Sequence, residues 1–272
     1  MKNKNLIAIS GKAGSGKDIV GKIIQYLTVS DYDNVKGILK ERNSKEITIE
    51  EHFNSFIERN YKVEYKIKKF AGKLKQIVSI LTGIPVEDLE KHEVKDRVLG
   101  EEGWYCLGDN NTRSPYVKEL HEEKVIKLIK PTVRDLMIEI ADKMKEINPD
   151  TFVNALFVDY KATDCDCDGP GFCGDPENHN TRAIFPNWII TDMRFPNELQ
   201  AVKDRGGITI RVNRVTGNVL IDNDTHAVTD WQHPSETELD DYEDWDHVIN
   251  NDGTINDLIE KVRKILEKEE II

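Results

Sequence analysis

Apolar and polar positions follow a few distinct rhythms along the chain, and each rhythm predicts an element. Leu6–Ser10 is a short apolar run stopped by Gly11, the pattern of a strand buried on both faces. From Asp18 to Leu27, the residues Val20, Ile23, Ile24 and Leu27 recur at helical spacing. Residues 28–60 are polar and weakly periodic, with a short helix expected over Ile49–Ile57, and Val63–Phe70 alternates like a second strand. Leu74–Leu81 returns to helical spacing, and Pro85 suits the first turn of a helix reaching His92. Residues 93–130 are mixed and loop-rich. Helices are expected at Thr132–Met144, capped by Thr132, and at Pro149–Tyr160, opened by Pro149. Asn187–Glu198 reads as strand, turn and a helix starting at Pro196; Gly206-Gly207 ends that helix before a strand at Ile208–Val212. A short strand and turn over Asp246–Thr254 precede an amphipathic helix capped by Thr254 and running through Leu266.

Strands alternating with helices predict an α/β fold, with a parallel sheet covered on both faces. The chain is expected to form a single domain over 1–272. Its helical stretch at about 72–160 is too long for a simple crossover and reads as an insertion over the sheet's carboxyl edge, where such folds bind ligands. The 272 residues carry a formal charge of −12, which argues against a nucleic-acid coat while leaving room for a local phosphate pocket. No apolar run approaches the roughly 20 residues of a membrane span, and Leu6–Ile9 is too short for a signal peptide. Four cysteines in a chain of this length do not make a disulfide scaffold, and Cys106 reads as an ordinary buried residue. A soluble cytoplasmic protein is expected.

The candidate chemistry begins where the first strand ends. "GKAGSGKD" comprises Gly11, Lys12, Ala13, Gly14, Ser15, Gly16, Lys17 and Asp18. Glycines there let consecutive N–H groups turn inward on phosphate oxygens, the helix start favours anions, and Lys17 can reach the outer phosphates. Asp18 stands where such loops carry the Ser or Thr that meets Mg²⁺. Its carboxylate could serve the metal, or be a first-turn residue favoured by the helix dipole. A second constellation, "IITDMR", puts Asp192 at a strand end with Arg194 two residues on, suited to organising metal or water and to forking around phosphate oxygens.

A third candidate lies in "TDCDCDGPGFCGDPENHNTR" (163–182), an exposed loop by its composition. Cys165, Cys167, Cys173 and His179 would furnish four tetrahedral ligands for a structural Zn²⁺. The missing C-x₂-C knuckle and the surrounding Asp residues weigh against that reading.

With "KFAGKLKQIVSILTGIPVEDLE", "KPTVRDLM", "NPDTFVNAL", "WIITDMRFPNELQAVKDRGGITIRVNR" and "HPSETELDDYEDWDHVINNDGTINDLI", the sequence resembles the phage-type deoxynucleoside monophosphate kinases over nearly its whole length. The resemblance implies a P-loop NTPase fold with a helical acceptor-binding insertion. It implies transfer of the ATP γ-phosphate to a (deoxy)nucleoside 5′-monophosphate with Mg²⁺, with ATP and the monophosphate as partners, in the host cytoplasm if phage-encoded. Lys17, Asp192 and Arg194 would face the reaction; Lys75, Arg97 and Arg134 would receive the acceptor. Asp18 in GKD is then a family trait. Val133, Ile138 and Ala141-Asp142 depart from the family's usual residues in the helix that reads the acceptor base, so the base preference stays open. Ser235, in the "HPSE" segment with His233 and Glu236, reads as a helix cap.

Overall fold

Strand β1 (Asn3–Ser10) occupies the centre of a five-stranded sheet in the computed structural model, which describes residues 2–29, 48–58, 63–99, 131–162, 185–214 and 237–272. The elements that follow are α1 (Lys17–Leu27), α2 (Ile49–Glu58), β2 (Lys66–Lys68), α3 (Gly72–Thr82), a 3₁₀ turn at Asp88–Glu90, α4 (His92–Lys95) and α5 (Val133–Ile147). After them come α6 (Thr151–Phe157), β3 (Trp188–Met193), α7 (Pro196–Asp204), β4 (Gly207–Asn213), β5 (His247–Asn250) and α8 (Ile255–Lys268). The described residues form two compact units, Met1–Phe70 with Leu156–Ile272, and Ala71–Ala155.

The first unit is the sheet and its helices. All pairings are parallel, in the order β2-β3-β1-β4-β5. Ile7 and Ile9 of β1 join Val20, Ile23 and Ile24 of α1 and Leu258, Ile259 and Val262 of α8 in one core, to which α2 adds Phe53 and Phe56. Leu6, which precedes Ile7 and so faces the other way, lies beside Val202 of α7, where a Cβ on Gly207 would come within 3.0 Å of both. Side chains alternate across a strand, so α1 and α8 cover one face and α7 the other. This is a mixed α/β fold, a parallel sheet flanked by helices in a generic Rossmann-like arrangement.

The strand order places a switch point beside β1. The chain leaves β1 toward β2 and leaves β3, the neighbour of β1, toward β4 on the opposite side. Ligands in open α/β sheets bind in the crevice outside the carboxyl ends of two such strands. Here that crevice is framed by the Gly11–Gly16 loop after β1 and by Asp192 and Arg194 at the end of β3.

The second unit has its own core of Leu74, Val78, Leu89, Leu99, Val133 and Phe152. Its longest helix, α5, opens on a capping box: Asp135 N–H donates to Thr132 Oγ1, and Thr132 N–H donates to the Asp135 carboxylate at 2.8 Å. Among the described residues, no helix is long and apolar enough to cross a membrane.

Candidate functional site

The loop after β1 is held open by its glycines. Gly14 (φ 73°) and Gly16 (φ 97°) are left-handed, a region other residues enter at a cost, and Gly16 is the residue before the first turn of α1. Gly11 has a different constraint: a Cβ there would lie 2.5 Å from both the Ser15 hydroxyl and the Val212 carbonyl. Ser15 N–H donates to the Lys12 carbonyl at 3.1 Å, closing the turn. The Ser15 Oγ is buried, 3% exposed, and has no hydrogen-bond partner among the described residues.

Lys17, the lysine placed to reach outer phosphates, is 7% exposed, and its Nζ donates back to the Lys12 carbonyl at 3.2 Å. The side chain is thus buried, with its ammonium turned back onto the loop that precedes it. Lys12, the exposed cation of the loop, pairs with Asp240 at 2.7 Å, and the same carboxylate binds Arg211 at 2.7 Å. Arg211 in turn donates to the Ser10 hydroxyl at the end of β1.

Asp18 and Asp192 come to the same edge through adjacent residues of β3. Asp18 Oδ1 accepts from the Thr191 hydroxyl at 2.8 Å and lies 3.6 Å from Lys69 Nζ. Asp192 Oδ1 accepts from the Phe70 N–H at 2.8 Å, just past the end of β2. The backbone N–H of Arg194 donates to Glu198 Oε2 at 2.7 Å, and Phe195 N–H donates to the same oxygen at 3.1 Å. A buried carboxylate thereby fixes the turn that carries Arg194. Two carboxylates with hard oxygen donors, beside a glycine-rich loop at a helix start, are of the chemistry that suits Mg²⁺ bound with phosphates.

Sequence reasoning missed two residues that build this edge. Asn251, just after β5, donates from its side chain to the Ser15 carbonyl at 2.8 Å, while its own N–H donates to the Asn213 carbonyl at 2.7 Å. It pins the loop from the far side, and its carboxamide abuts Gly16. Glu198 is the other; in the first turn of a helix opened by Pro196 its carboxylate can reach back to the N–H groups before the helix, whereas nothing local in "INNDGT" points to the loop.

Lys75, Arg97 and Arg134 belong to the second unit. Lys75, 5% exposed, is paired with Glu90. Arg134 binds Asp96 through Nε and Nη2, both at 2.8 Å, and that guanidinium holds the Asp96 carboxyl below its ordinary range. Arg97 is exposed, and its carbonyl accepts from Val133 N–H, so Arg97 and Arg134 flank one backbone crossing. Cys165, Cys167, Cys173 and His179, the expected zinc ligands, lie outside the described residues, as do Cys106, His233, Ser235 and Glu236. Among the described residues, no three His, Cys, Asp or Glu side chains gather as a metal cage. No protein-family model and no curated protein matches this chain.

Proposed function

We propose that the chain is an ATP-dependent kinase of (deoxy)nucleoside monophosphates, built on a P-loop NTPase fold. The observation that carries this reading is the loop at the switch point: left-handed Gly14 and Gly16, Lys17 folded inside the turn, and Asp192 with Arg194 on the adjacent strand end. Each part has a task in phosphoryl transfer. Loop N–H groups and Lys17 bind the donor phosphates, and the helix start of α1 favours their charge. Asp18 and Asp192 would hold Mg²⁺, which when bound neutralises charge on the phosphate oxygens. Arg194 is suited to fork around the transferred phosphoryl as its oxygens gain charge.

The choice of acceptor rests on the sequence resemblance, with cations at Lys75, Arg97 and Arg134 to bind a second anion. A panel of the four deoxynucleoside monophosphates with ATP and Mg²⁺, read as diphosphate formed, tests it. Turnover of one or more of them is the expected result. Turnover only with another phosphorylated small molecule would reassign the acceptor. ATP binding without any transfer would make the chain a nucleotide-binding module.

A further inference from the structure

We infer that Thr191 is a positioning residue for the metal face of the phosphate loop: its buried hydroxyl clamps one oxygen of Asp18 and so aims the other outward. This rests on the phosphate-loop reading above and concerns how a loop with aspartate in place of the usual hydroxyl residue can serve a metal.

Thr191 is 0% exposed, and its hydroxyl proton is committed to Asp18 Oδ1 at 2.8 Å. Its β-branched side chain has little rotational freedom, because its methyl faces Gly21 of α1, where a Cβ would lie only 2.6 Å away. Lys69 adds a cation 3.6 Å from the same oxygen. Asp18 Oδ2 has no hydrogen-bond or ion-pair partner among the described residues, and the side chain is 58% exposed. One oxygen is therefore anchored to the sheet while the other is open to a ligand. Ser15 points independently to a ligand at this loop, because its buried hydroxyl lacks any partner among the described residues.

The hydroxyl that a phosphate loop ordinarily carries on its helix is here supplied by the neighbouring strand, and the carboxylate bridges it to the ligand. A serine at position 18 cannot offer two oxygens, one for Thr191 and one for the metal. The Asp18→Ser exchange, harmless if the side chain alone met the metal, would leave the Thr191 hydroxyl buried without its acceptor.

The test compares Thr191→Val, which keeps the shape and removes the hydroxyl, with Thr191→Ser, which restores it. ATP affinity is measured by calorimetry with and without Mg²⁺, and Mn²⁺ affinity of the ATP complex by electron paramagnetic resonance. For the loss of one hydrogen bond, Thr191→Val should weaken metal-dependent binding by about five- to tenfold, leave metal-free ATP affinity within about twofold, and be rescued by Thr191→Ser. Should the valine variant not fold, Asp18→Asn serves in its place. It keeps an acceptor for Thr191 but loses the second carboxylate oxygen, and it should show the same metal-specific loss. Unchanged metal dependence in a folded Thr191→Val or Asp18→Asn variant, or an equal loss with and without metal, would overturn the inference. Wild-type protein that binds ATP without regard to Mg²⁺, or not at all, would instead overturn the phosphate-loop reading and this inference with it.

Discussion

Lys17 is an ammonium folded onto its own loop, so on the proposed phosphate-loop reading little side-chain freedom remains to be lost on binding. Replacing it with methionine keeps most of the buried stem and removes the charge. Lys17→Met is expected to keep its fold by circular dichroism and to lose roughly 100-fold or more in kcat. Near-normal turnover would remove the loop from the reaction. Asn251→Asp would set a carboxylate against the Ser15 carbonyl, converting a donated hydrogen bond into repulsion. The ATP KM should rise about tenfold, the scale of one lost hydrogen bond, with a smaller effect on kcat. A KM within twofold of wild type would make Asn251 a bystander. The glycines, Lys17, Asp192 and Arg194 were legible because each sits within a few residues of a strand end. Asn251 was not, because its contact with Ser15 spans 236 positions and exists only once β5 is added to the sheet. The burial of Lys17 was not legible for a different reason, since its bond to Lys12 is local: spacing gives the order of residues in a loop and not the direction in which a side chain folds.

Among the elements, those with a cap and a clear rhythm were read closest to their true bounds. Thr132 and Thr254 each open a helix through a reciprocal bond with an aspartate three residues on, and α5 and α8 begin where the sequence indicates. The expected strand over Val63–Phe70 shrinks to Lys66–Lys68. Among the described residues it is the sheet's edge, paired only with β3, and its ladder ends where Phe70 N–H turns to the Asp192 carboxylate. The helix expected from Pro85 to His92 is instead a 3₁₀ turn and a single turn of α4, separated by Lys91 in extended conformation (ψ 135°). The helix expected from Pro149 starts at Thr151, whose hydroxyl donates to the Met144 and Asn148 carbonyls at the end of α5. Gly21 was not singled out by any pattern, yet it sets how closely α1 approaches the sheet. A methyl there meets Thr191, Ile189 and Ile67, the first at 2.6 Å. Gly21→Ala gains up to about 1 kcal/mol of helix propensity, but overpacking against a stiff buried Thr costs about 1–3 kcal/mol. The net expectation is destabilisation in urea titrations, accompanied by weaker ATP binding as α1 and Asp18 shift. A variant as stable as wild type would show that the helix can lift without cost.

Across the whole molecule, the chain ends are tied into the sheet unit by a cluster of charges. Lys2 Nζ lies 2.7 Å from Glu269 and 3.0 Å from Asp246, His247 Nε2 lies 2.7 Å from Glu269, and Asp246 accepts from both N–H and hydroxyl of Thr209 at 2.8 Å. Partial burial opposes ionisation of Asp246, but the Thr209 bonds and the Lys2 ammonium outweigh it, and its carboxyl is held below the ordinary range. Burial likewise opposes ionisation of Glu269, and bonds from Lys2 and His247 bring it below its usual value. A carboxyl depressed in the folded state binds fewer protons than in the unfolded chain. Its contribution is therefore complete above the unfolded value of about 4 and is lost as pH falls through the lower folded value. Lys2 works in the opposite sense: its raised pKa stabilises the fold below the ordinary lysine value and ceases to do so as pH rises through the folded one. Stability in urea should thus fall as pH drops below about 4, and Asp246→Asn should lower it at neutral pH while flattening the acid slope. The slope has to flatten because the substituted residue has no proton to take up on unfolding. An Asp246→Asn protein that loses stability at neutral pH but keeps the wild-type slope would mean that other carboxylates, not this cluster, govern the acid response.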